Sequence, residues 1–390
     1  MPDATTSPIN PVEGTRTIKS AATGHGWRIG ADGARRYLSH AFAEVIAQHG
    51  CGCGSRASRV NRLLFEWIHF FGGTDDMKSP FLRLTQAACF VVAVPIFFAD
   101  AHAQLVPGTG IKLTQVGDDF EDEDWKWVPN GAKASREQDE QVRSPTGFSS
   151  NKRWFESPKR GMPDHIVRVP TPENGLPQSR GALKIQTLNS GVPGNNSYKM
   201  EQDDLIMACS SKVGAIATGR NPSCVTRIYL PPFEQWENRS GSHFGYRIDL
   251  KTTITETEKK FLFSSTKRKQ EDYWPGYFIE FHSSHDGRFK EDEAILLIRG
   301  NNLGHEVRSL KLAPGWWTLG MSVTGDGRVH FYGKQGVENL TAADHLYSSL
   351  PYGYEAEYFA THFFNSCNHN DGSSWSTPVI IDDPAIYTTR

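Results

Sequence analysis

The chain has 390 residues, with 42 basic and 44 acidic side chains and a formal net charge of −2 at pH 7. A balance this close to zero excludes the strongly basic surface with which proteins hold nucleic acids or anionic membranes. The length is sufficient for one large domain with a substantial core.

Residues 77–103 have the pattern of a secretory signal peptide. A short basic segment precedes an apolar stretch at 87–99, and Ala101-His102-Ala103 offers a cleavage site before Gln104. The apolar stretch is too short to cross a bilayer, which takes roughly 20 residues. We therefore expect a protein that is secreted, periplasmic or bound at the cell surface, with no stable membrane insertion after cleavage.

Residues 1–76 show no helix caps and no hydrophobic periodicity that would make them one folded unit. The simplest interpretation is that translation begins at Met77 and that 1–76 is a mis-assigned, poorly structured extension. The alternative is a signal anchor behind a genuine cytoplasmic tail. Both interpretations leave 104–390 as the functional domain.

Beyond residue 104 the pattern is that of β-strands. Short β-branched and aromatic runs alternate with clusters of Gly, Pro, Asn and Asp, and no long helical pattern occurs. The runs lie at 165–169, 182–187, 224–230, 243–250, 277–282, 294–299, 317–323, 328–332, 358–365 and 378–381. About ten strands with hairpin-length links predict an all-β, two-sheet antiparallel jelly-roll sandwich.

Four local features complete this prediction. Thr324-Gly325-Asp326-Gly327 predicts a tight hairpin, because Asp-Gly supplies the positive φ angles such turns need. A short helix is expected at 342–348, capped by Thr341, and 129–164 is expected to be a long surface excursion.

The three cysteines beyond residue 104 are an odd number, so they cannot form a closed disulfide framework. If any disulfide forms, we expect Cys209–Cys224.

Two sets of residues carry a resemblance to a known superfamily. Gly315-Trp316-Trp317-Thr318-Leu319, the Asp326-Gly327 turn and the strand at 329–332 resemble a hairpin of the concanavalin A-like lectin and glucanase (LamG-like) jelly rolls. Asp118-Asp119-Phe120-Glu121 and the run at 380–387 resemble the paired first and last strands of the same superfamily. As a whole the sequence also resembles poorly characterised secreted proteins of planctomycete-type bacteria, a resemblance that implies no known activity.

The superfamily resemblance implies a glycan as ligand or substrate. It also implies a structural Ca²⁺ where the first and last strands meet, with Asp119, Glu121 and Asp383 as its oxygen ligands. The alternative for these three carboxylates is that they are exposed edge charges, which discourage strand-edge aggregation.

Period-two alternation predicts which polar side chains share a face of a strand. It pairs Glu280 with His282, Arg247 with Asp249, Arg227 with Tyr229, and His330 with Tyr332. Such groups converging on one sheet suit acid–base chemistry. The candidate catalytic residues are Glu280, His282, Arg247 and Tyr332. The candidate ligand-binding residues are Arg227, Tyr229, His330 and Trp274, the last a sugar-stacking platform on a loop.

The chain lacks the paired carboxylates with which concanavalin-like glycosidases act, because the i+2 neighbour of Glu280 is His282. Ile279-Glu280-Phe281-His282 resembles a strand of jelly-roll polysaccharide lyases, with Glu in the place of Gln and one residue more. The leading hypothesis is non-catalytic binding of a polysaccharide or cell-surface glycan. The alternatives are a lyase or atypical glycoside hydrolase acting through Glu280 and His282, and a structural cell-surface protein.

Overall fold

The computed structural model describes residues 106–133, 135–140, 146–197, 199–260 and 263–389. These residues form a two-sheet antiparallel jelly-roll sandwich, which confirms the predicted fold class. The predicted signal peptide and the 1–76 extension lie outside the described residues. None of the described helices is long and apolar enough to cross a bilayer.

The strands are numbered in chain order. The first ten are β1 (Ile111–Lys112), β2 (Trp127–Val128), β3 (Phe148–Ser149), β4 (Trp154–Glu156), β5 (His165–Pro170), β6 (Gly181–Gln186), β7 (Met200–Met207), β8 (Ile216–Ala217), β9 (Ser223–Leu230) and β10 (Gly241–Lys260). The others are β11 (Phe263–Tyr273), β12 (Gly276–His282), β13 (Glu293–Arg299), β14 (Glu306–Leu312), β15 (Gly315–Val323), β16 (Val329–Gln335), β17 (His345–Ser349), β18 (Tyr358–His369) and β19 (Val379–Thr388). Two short helices are α1 (Arg136–Asp139) and α2 (Cys209–Val213), and short 3₁₀ turns span Thr218–Arg220, Phe233–Gln235, Ser284–Asp286, Ala342–Asp344 and Pro351–Gly353.

The strands form two sheets. The small sheet has eight strands in the order β17-β16-β15-β9-β19-β6-β5, with β1 paired to β19. The large sheet has eleven strands in the order β14-β13-β12-β10-β18-β7-β4-β3-β2, with β11 paired to β10 and β8 paired to β18. Strands that are neighbours in a sheet are often distant in sequence, so the strand order follows from the tertiary structure.

Apolar side chains of both sheets meet in the core between them. Along β10, Phe244, Tyr246, Ile248 and Leu250 belong to this core. The residues between them, including Arg247 and Asp249, face away from the small sheet, as alternation requires. The same alternation gives every strand of the large sheet an outer face, and the candidate site lies on that face.

All ten strand runs predicted from the sequence occur in strands. Thr324 and Gly327 close the predicted hairpin between β15 and β16, with the N–H of Gly327 donating to the carbonyl of Thr324 at 2.8 Å and a φ of 77° at Gly327. Among the strands of five residues or more, the sequence did not predict β7, β11, β14 and β17. Those strands are rich in charged or polar residues, so they lack the clear alternation that marks a strand.

Four local expectations need correction. The helix predicted at 342–348 is wrong beyond Asp344, because the capping box of Thr341 and Asp344 closes only one turn before β17 begins. The excursion at 129–164 contributes β3 and β4 to the large sheet. The first strand of the described residues, which pairs with β19, is β1 rather than a strand at 118–121.

The expected Cys209–Cys224 disulfide is also wrong. Within the described ranges the three cysteines are free and buried. Burial raises the pKa of all three thiols to about 12, because the interior disfavours a thiolate. They therefore behave as small apolar side chains of the core.

Candidate functional site

A cleft of about 540 Å³ lies on the outer face of the large sheet. Its floor consists of side chains from β7, β18, β10 and β13. The loop at 157–160, the turn at Tyr273 and Trp274, and the segment containing Tyr352 and Tyr354 form its walls. A volume of several hundred Å³ is typical of a small-ligand site or of a few subsites for a polymer.

Arg247 lies at the centre of the floor and is only 6% exposed. Its guanidinium carbon lies 5.3 Å from the ring centroid of Phe278 and 5.4 Å from that of Phe363. Nε and Nη2 donate to the carbonyl oxygen of Trp274, at 3.0 and 2.6 Å. A Cβ at position 276 would lie 2.8 Å from Cγ of Arg247, so Gly276 leaves the room that this side chain needs. These contacts fix the guanidinium plane.

Asp204 occupies the β7 side of the floor. Oδ1 of Asp204 accepts a hydrogen bond from Nδ2 of Asn365 at 2.5 Å. A Cβ at Gly245 would lie 2.5 Å from Oδ1 of Asn365, so glycine is needed beside this amide. Burial raises the pKa of Asp204 to about 6, although the charges of Arg160 and Arg247 and the hydrogen bond from Asn365 oppose the rise.

Three polar atoms that line this cleft are buried without a hydrogen-bond partner among the described residues: Oδ1 of Asp249, Oη of Tyr273 and Nε of Arg299. Burial, reinforced by the nearby charge of Asp272, raises the pKa of Asp249 to about 7, whereas Lys251 and Arg247 act in the opposite direction. Burial raises the pKa of Tyr273 well above its usual value. The cleft therefore contains a hydrogen-bond acceptor on Asp249 and hydrogen-bond donors on Tyr273 and Arg299 that have no partner among the described residues.

Aromatic side chains form one wall of the cleft. Trp274 is half-buried, and Nζ of Lys159 lies 4.8 Å from the centroid of its indole ring. The ring of Tyr273 packs edge-on against Tyr352 and Tyr354, with centroids 5.9 and 5.3 Å apart. Tyr352 has a φ of 60°, which is uncommon for a bulky residue and often marks a functional segment.

Two of the residues proposed from the sequence, Arg247 and Trp274, line this cleft. Glu280 and His282 lie on the same sheet but do not line it. Nε2 of His282 lies 2.8 Å from Oε1 of Glu280, and the imidazole stacks on Phe289 with centroids 4.1 Å apart. The carboxylate and imidazole thus stand together, as alternation predicted, but away from the cleft. Their catalytic role stays a prediction.

The remaining candidate catalytic and ligand-binding residues lie in the small sheet, so the structure does not bring Tyr332 together with Arg247, Glu280 and His282. Tyr332 packs in a small apolar cluster with Val225 and Leu340, outside the main core. Oγ1 of Thr324 and Oγ of Ser348 lie 3.0 and 2.7 Å from the ring nitrogens of His330, whose pKa burial lowers to about 4.

Arg227 and Tyr229 also belong to the small sheet, in β9. Arg227 donates to the carbonyl of Val337 at 3.1 Å, to the side-chain oxygen of Asn339 at 2.7 Å and to Asp383 at 3.3 Å. Tyr229 packs edge-on against Trp316, with centroids 5.4 Å apart. Arg227 is thus fully engaged within the protein.

The carboxylates assigned to calcium line one shallow pocket together with Asp382. Asp383 accepts from Lys112 at 3.1 Å as well as from Arg227, and Glu121 accepts from the backbone N–H groups of Arg180 and Gly181 at 2.8 and 3.2 Å. No group of three His, Cys, Asp or Glu side chains in the described ranges is placed to hold a metal ion. The calcium site therefore rests on the sequence resemblance alone.

Sequence reasoning missed Asp204, Asn365, Arg160 and Arg299. Asp204 lies in Met200–Met207 (MEQDDLIM), where two adjacent aspartates obscure the alternation. Arg299 ends a strand that was predicted, and the same period-two logic gives it an outward direction. Arg160 lies on a loop, where no periodic signal exists.

No protein-family model matches the sequence, and no match is found among curated proteins. The fold is similar to a carbohydrate esterase from the Shiga toxin-encoding bacteriophage phi24B, with a TM-score of 0.34 and 9% identity over 61% of this chain and 91% of the other.

Two further solved structures are similar at the same level. One is an alginate lyase from Pseudomonas aeruginosa, with a TM-score of 0.33 and 9% identity over 58% of this chain and 86% of the other. The other is a GH131 β-glucanase catalytic domain from Podospora anserina, with a TM-score of 0.32 and 12% identity over 72% of this chain and 96% of the other.

Proposed function

We propose that this protein is exported and binds a polysaccharide in the cleft on the outer face of the large sheet. The observation that carries the proposal is the set of unpartnered polar atoms of Asp249, Tyr273 and Arg299. A buried polar atom without a partner costs about 1–3 kcal/mol. A ligand with many hydroxyl groups supplies donors and acceptors together and relieves this cost.

The aromatic wall supports a sugar ligand. A pyranose ring has apolar C–H faces that pack on indole and phenol rings, while its hydroxyl groups reach polar side chains. Trp274 and Tyr352 offer such rings beside the floor that carries Arg247. An open cleft of this kind suits a segment of a polymer, whose ends extend beyond the walls.

Export is supported by the signal-peptide pattern at 77–103, which lies outside the described residues. We expect the secreted protein to begin at Gln104. N-terminal sequencing of protein recovered from the periplasm or the medium tests this expectation. A mature chain that retains 77–103 would contradict it.

The binding test compares two tryptophans in the full-length protein. Trp274 lines the cleft, whereas Trp375 is 47% exposed and does not line it. Retention on a panel of immobilised polysaccharides identifies a ligand. We then expect Trp274→Ala to weaken binding about tenfold, equivalent to 1.4 kcal/mol, and Trp375→Ala to leave it unchanged. Retention of no polysaccharide, or equal effects of the two variants, would refute binding in this cleft.

A second candidate function is cleavage of the bound polysaccharide. The observation that favours it is Asp249, whose buried carboxyl has a pKa of about 7 and therefore suits proton transfer near neutrality. In this second candidate function the proton-transferring group is Asp249 instead of Glu280 and His282. Assays for new reducing ends and for unsaturated products test it, with Asp249→Asn as the variant expected to bind without turnover. Binding without either product leaves the non-catalytic function.

A further inference from the structure

Within the described residues, two guanidinium groups of the cleft, those of Arg247 and Arg299, form no ion pair with a carboxylate. Arg247 uses Nε and Nη2 for the carbonyl oxygen of Trp274, and its Nη1 makes no hydrogen bond within the described residues. In the same ranges Arg299 forms no side-chain hydrogen bond or ion pair, and its Nε is buried. Both cations therefore present unused donors to the cleft.

Three of the four acidic residues that line the cleft have partners other than the two arginines. Asp272 pairs with Lys251 at 2.7 Å, and Glu271 pairs with Lys269 at 3.0 Å. Asp204 accepts from Asn365. Burial raises the pKa of Asp249 to about 7, so this carboxyl is only partly ionised near neutrality, and none of the carboxyl groups that line the cleft forms an ion pair with Arg247 or Arg299 within the described residues.

The two cations also flank one position of the large sheet, because Arg247 of β10 and Arg299 of β13 both lie opposite Gly276 of β12. The guanidinium carbons of Arg247 and Arg299 lie 5.3 and 6.0 Å from the centroid of the same ring, that of Phe278. Burial lowers the pKa of Arg247 to about 10, and the charges of Arg299 and Arg160 act in the same direction, against those of Asp204 and Tyr352. Adjacent like charges in a partly desolvated site repel each other unless an anion lies between them.

We propose that the cleft selects an acidic polysaccharide, and that a carboxylate on one sugar ring binds between Arg247 and Arg299. This inference rests on the proposed function. A guanidinium group presents its N–H donors as a planar fork that matches the two oxygens of a carboxylate. A sulfate ester presents similar anionic oxygens, and the first test distinguishes a carboxylate ligand from a sulfate ligand.

The first test uses the full-length protein and one matched pair of ligands. Oligogalacturonate carries ring carboxylates, and its methyl ester has the same backbone without the charges. We expect the acid to bind at least about tenfold more tightly than the ester, and the difference to shrink as salt is added. Preferential binding of dextran sulfate over dextran, without binding of oligogalacturonate, would overturn the assignment to a carboxylate.

The second test uses arginine variants. Arg299→Gln is expected to abolish the preference for the acid, so that the acid and the ester bind with equal affinity. Arg288 is a matched control, because it is exposed and pairs with Asp286 away from the cleft, so Arg288→Gln is expected to keep the preference. Circular dichroism and thermal unfolding verify that the variants fold. If Arg299→Gln fails to fold, Arg299→Lys replaces it in the test. We expect Arg299→Lys to show a reduced preference for the acid over the ester, because lysine lacks the planar fork of N–H donors.

The failures of the two proposals are distinguishable. Equal binding of the acid and its ester, both weakened by Trp274→Ala, would overturn this inference and leave polysaccharide binding intact. An undiminished preference for the acid in Arg299→Gln, or in Arg299→Lys where that variant carries the test, would also overturn it. Absence of binding to any polysaccharide would overturn both.

Discussion

Replacing Asp382 by asparagine is expected to make the stability of the protein less sensitive to a rise in pH from 5 to 8. Asp382 lies in β19 and is 1% exposed. Neither of its carboxylate oxygens has a hydrogen-bond partner among the described residues. Burial raises its pKa to about 7, although Ser179 and the N–H of Asp383 lie near enough to oppose the rise.

The direction in which the free energy of unfolding changes with pH follows from proton linkage. In the unfolded chain this carboxyl ionises near its ordinary pKa of 3.8, whereas the folded protein holds the proton until about pH 7. As the pH rises, the carboxyl therefore ionises in the unfolded chain before it ionises in the folded protein. Because this ionisation stabilises the unfolded state, the free energy of unfolding falls over this interval. Each pKa unit corresponds to about 1.4 kcal/mol, which sets an upper limit of about 4 kcal/mol for the whole effect.

The assay is urea denaturation of the wild type and Asp382→Asn between pH 5 and pH 8. Because asparagine does not ionise, we expect the variant to gain about 2–3 kcal/mol relative to the wild type across this interval. Asp383→Asn is the control, since Asp383 pairs with Lys112 and Arg227 and its loss gives no such gain. Parallel pH profiles for the wild type and Asp382→Asn would refute the reasoning.

Three further predictions concern packing and burial. Lys133→Met removes the cation of a buried ion pair with Asp203, which has an N–O distance of 2.5 Å, and is expected to cost about 3–5 kcal/mol in urea denaturation. Gly245→Ala forces a Cβ to 2.5 Å from Oδ1 of Asn365, and we expect thermal unfolding to show a loss of about 1–3 kcal/mol. Alkylation followed by mass spectrometry is expected to label three buried thiols only after unfolding, without a reducing agent: Cys209, Cys224 and Cys367.

Each of these predictions has a contrary outcome. A Lys133→Met protein with the same free energy of unfolding as the wild type would contradict the expected cost of breaking the ion pair with Asp203. Gly219 has open space around an added Cβ, so Gly219→Ala should be nearly neutral, and equal effects at 219 and 245 would contradict the steric argument. Thiols that need a reducing agent before they react would contradict the free-cysteine assignment.

The sequence alone determined the fold class and the direction of many side chains. Alternation of apolar and polar residues has a period of two in a strand, so it correctly separated Arg247 from the core residues Tyr246 and Ile248. Turn chemistry correctly predicted the hairpin at Asp326-Gly327, because few residues tolerate the backbone angles of such turns. These are local properties, and the local sequence is sufficient to predict them.

Only the tertiary structure decided which side chains meet. Asp204 and Arg247 line one cleft because β18 pairs with β7 on one side and β10 on the other. Tyr332 shares a similar local pattern but belongs to the other sheet. Alternation fixes the face of a side chain within its strand, whereas strand order depends on which arrangement buries the apolar faces of distant segments. The walls of the cleft come from loops, whose positions depend on the strands that they connect.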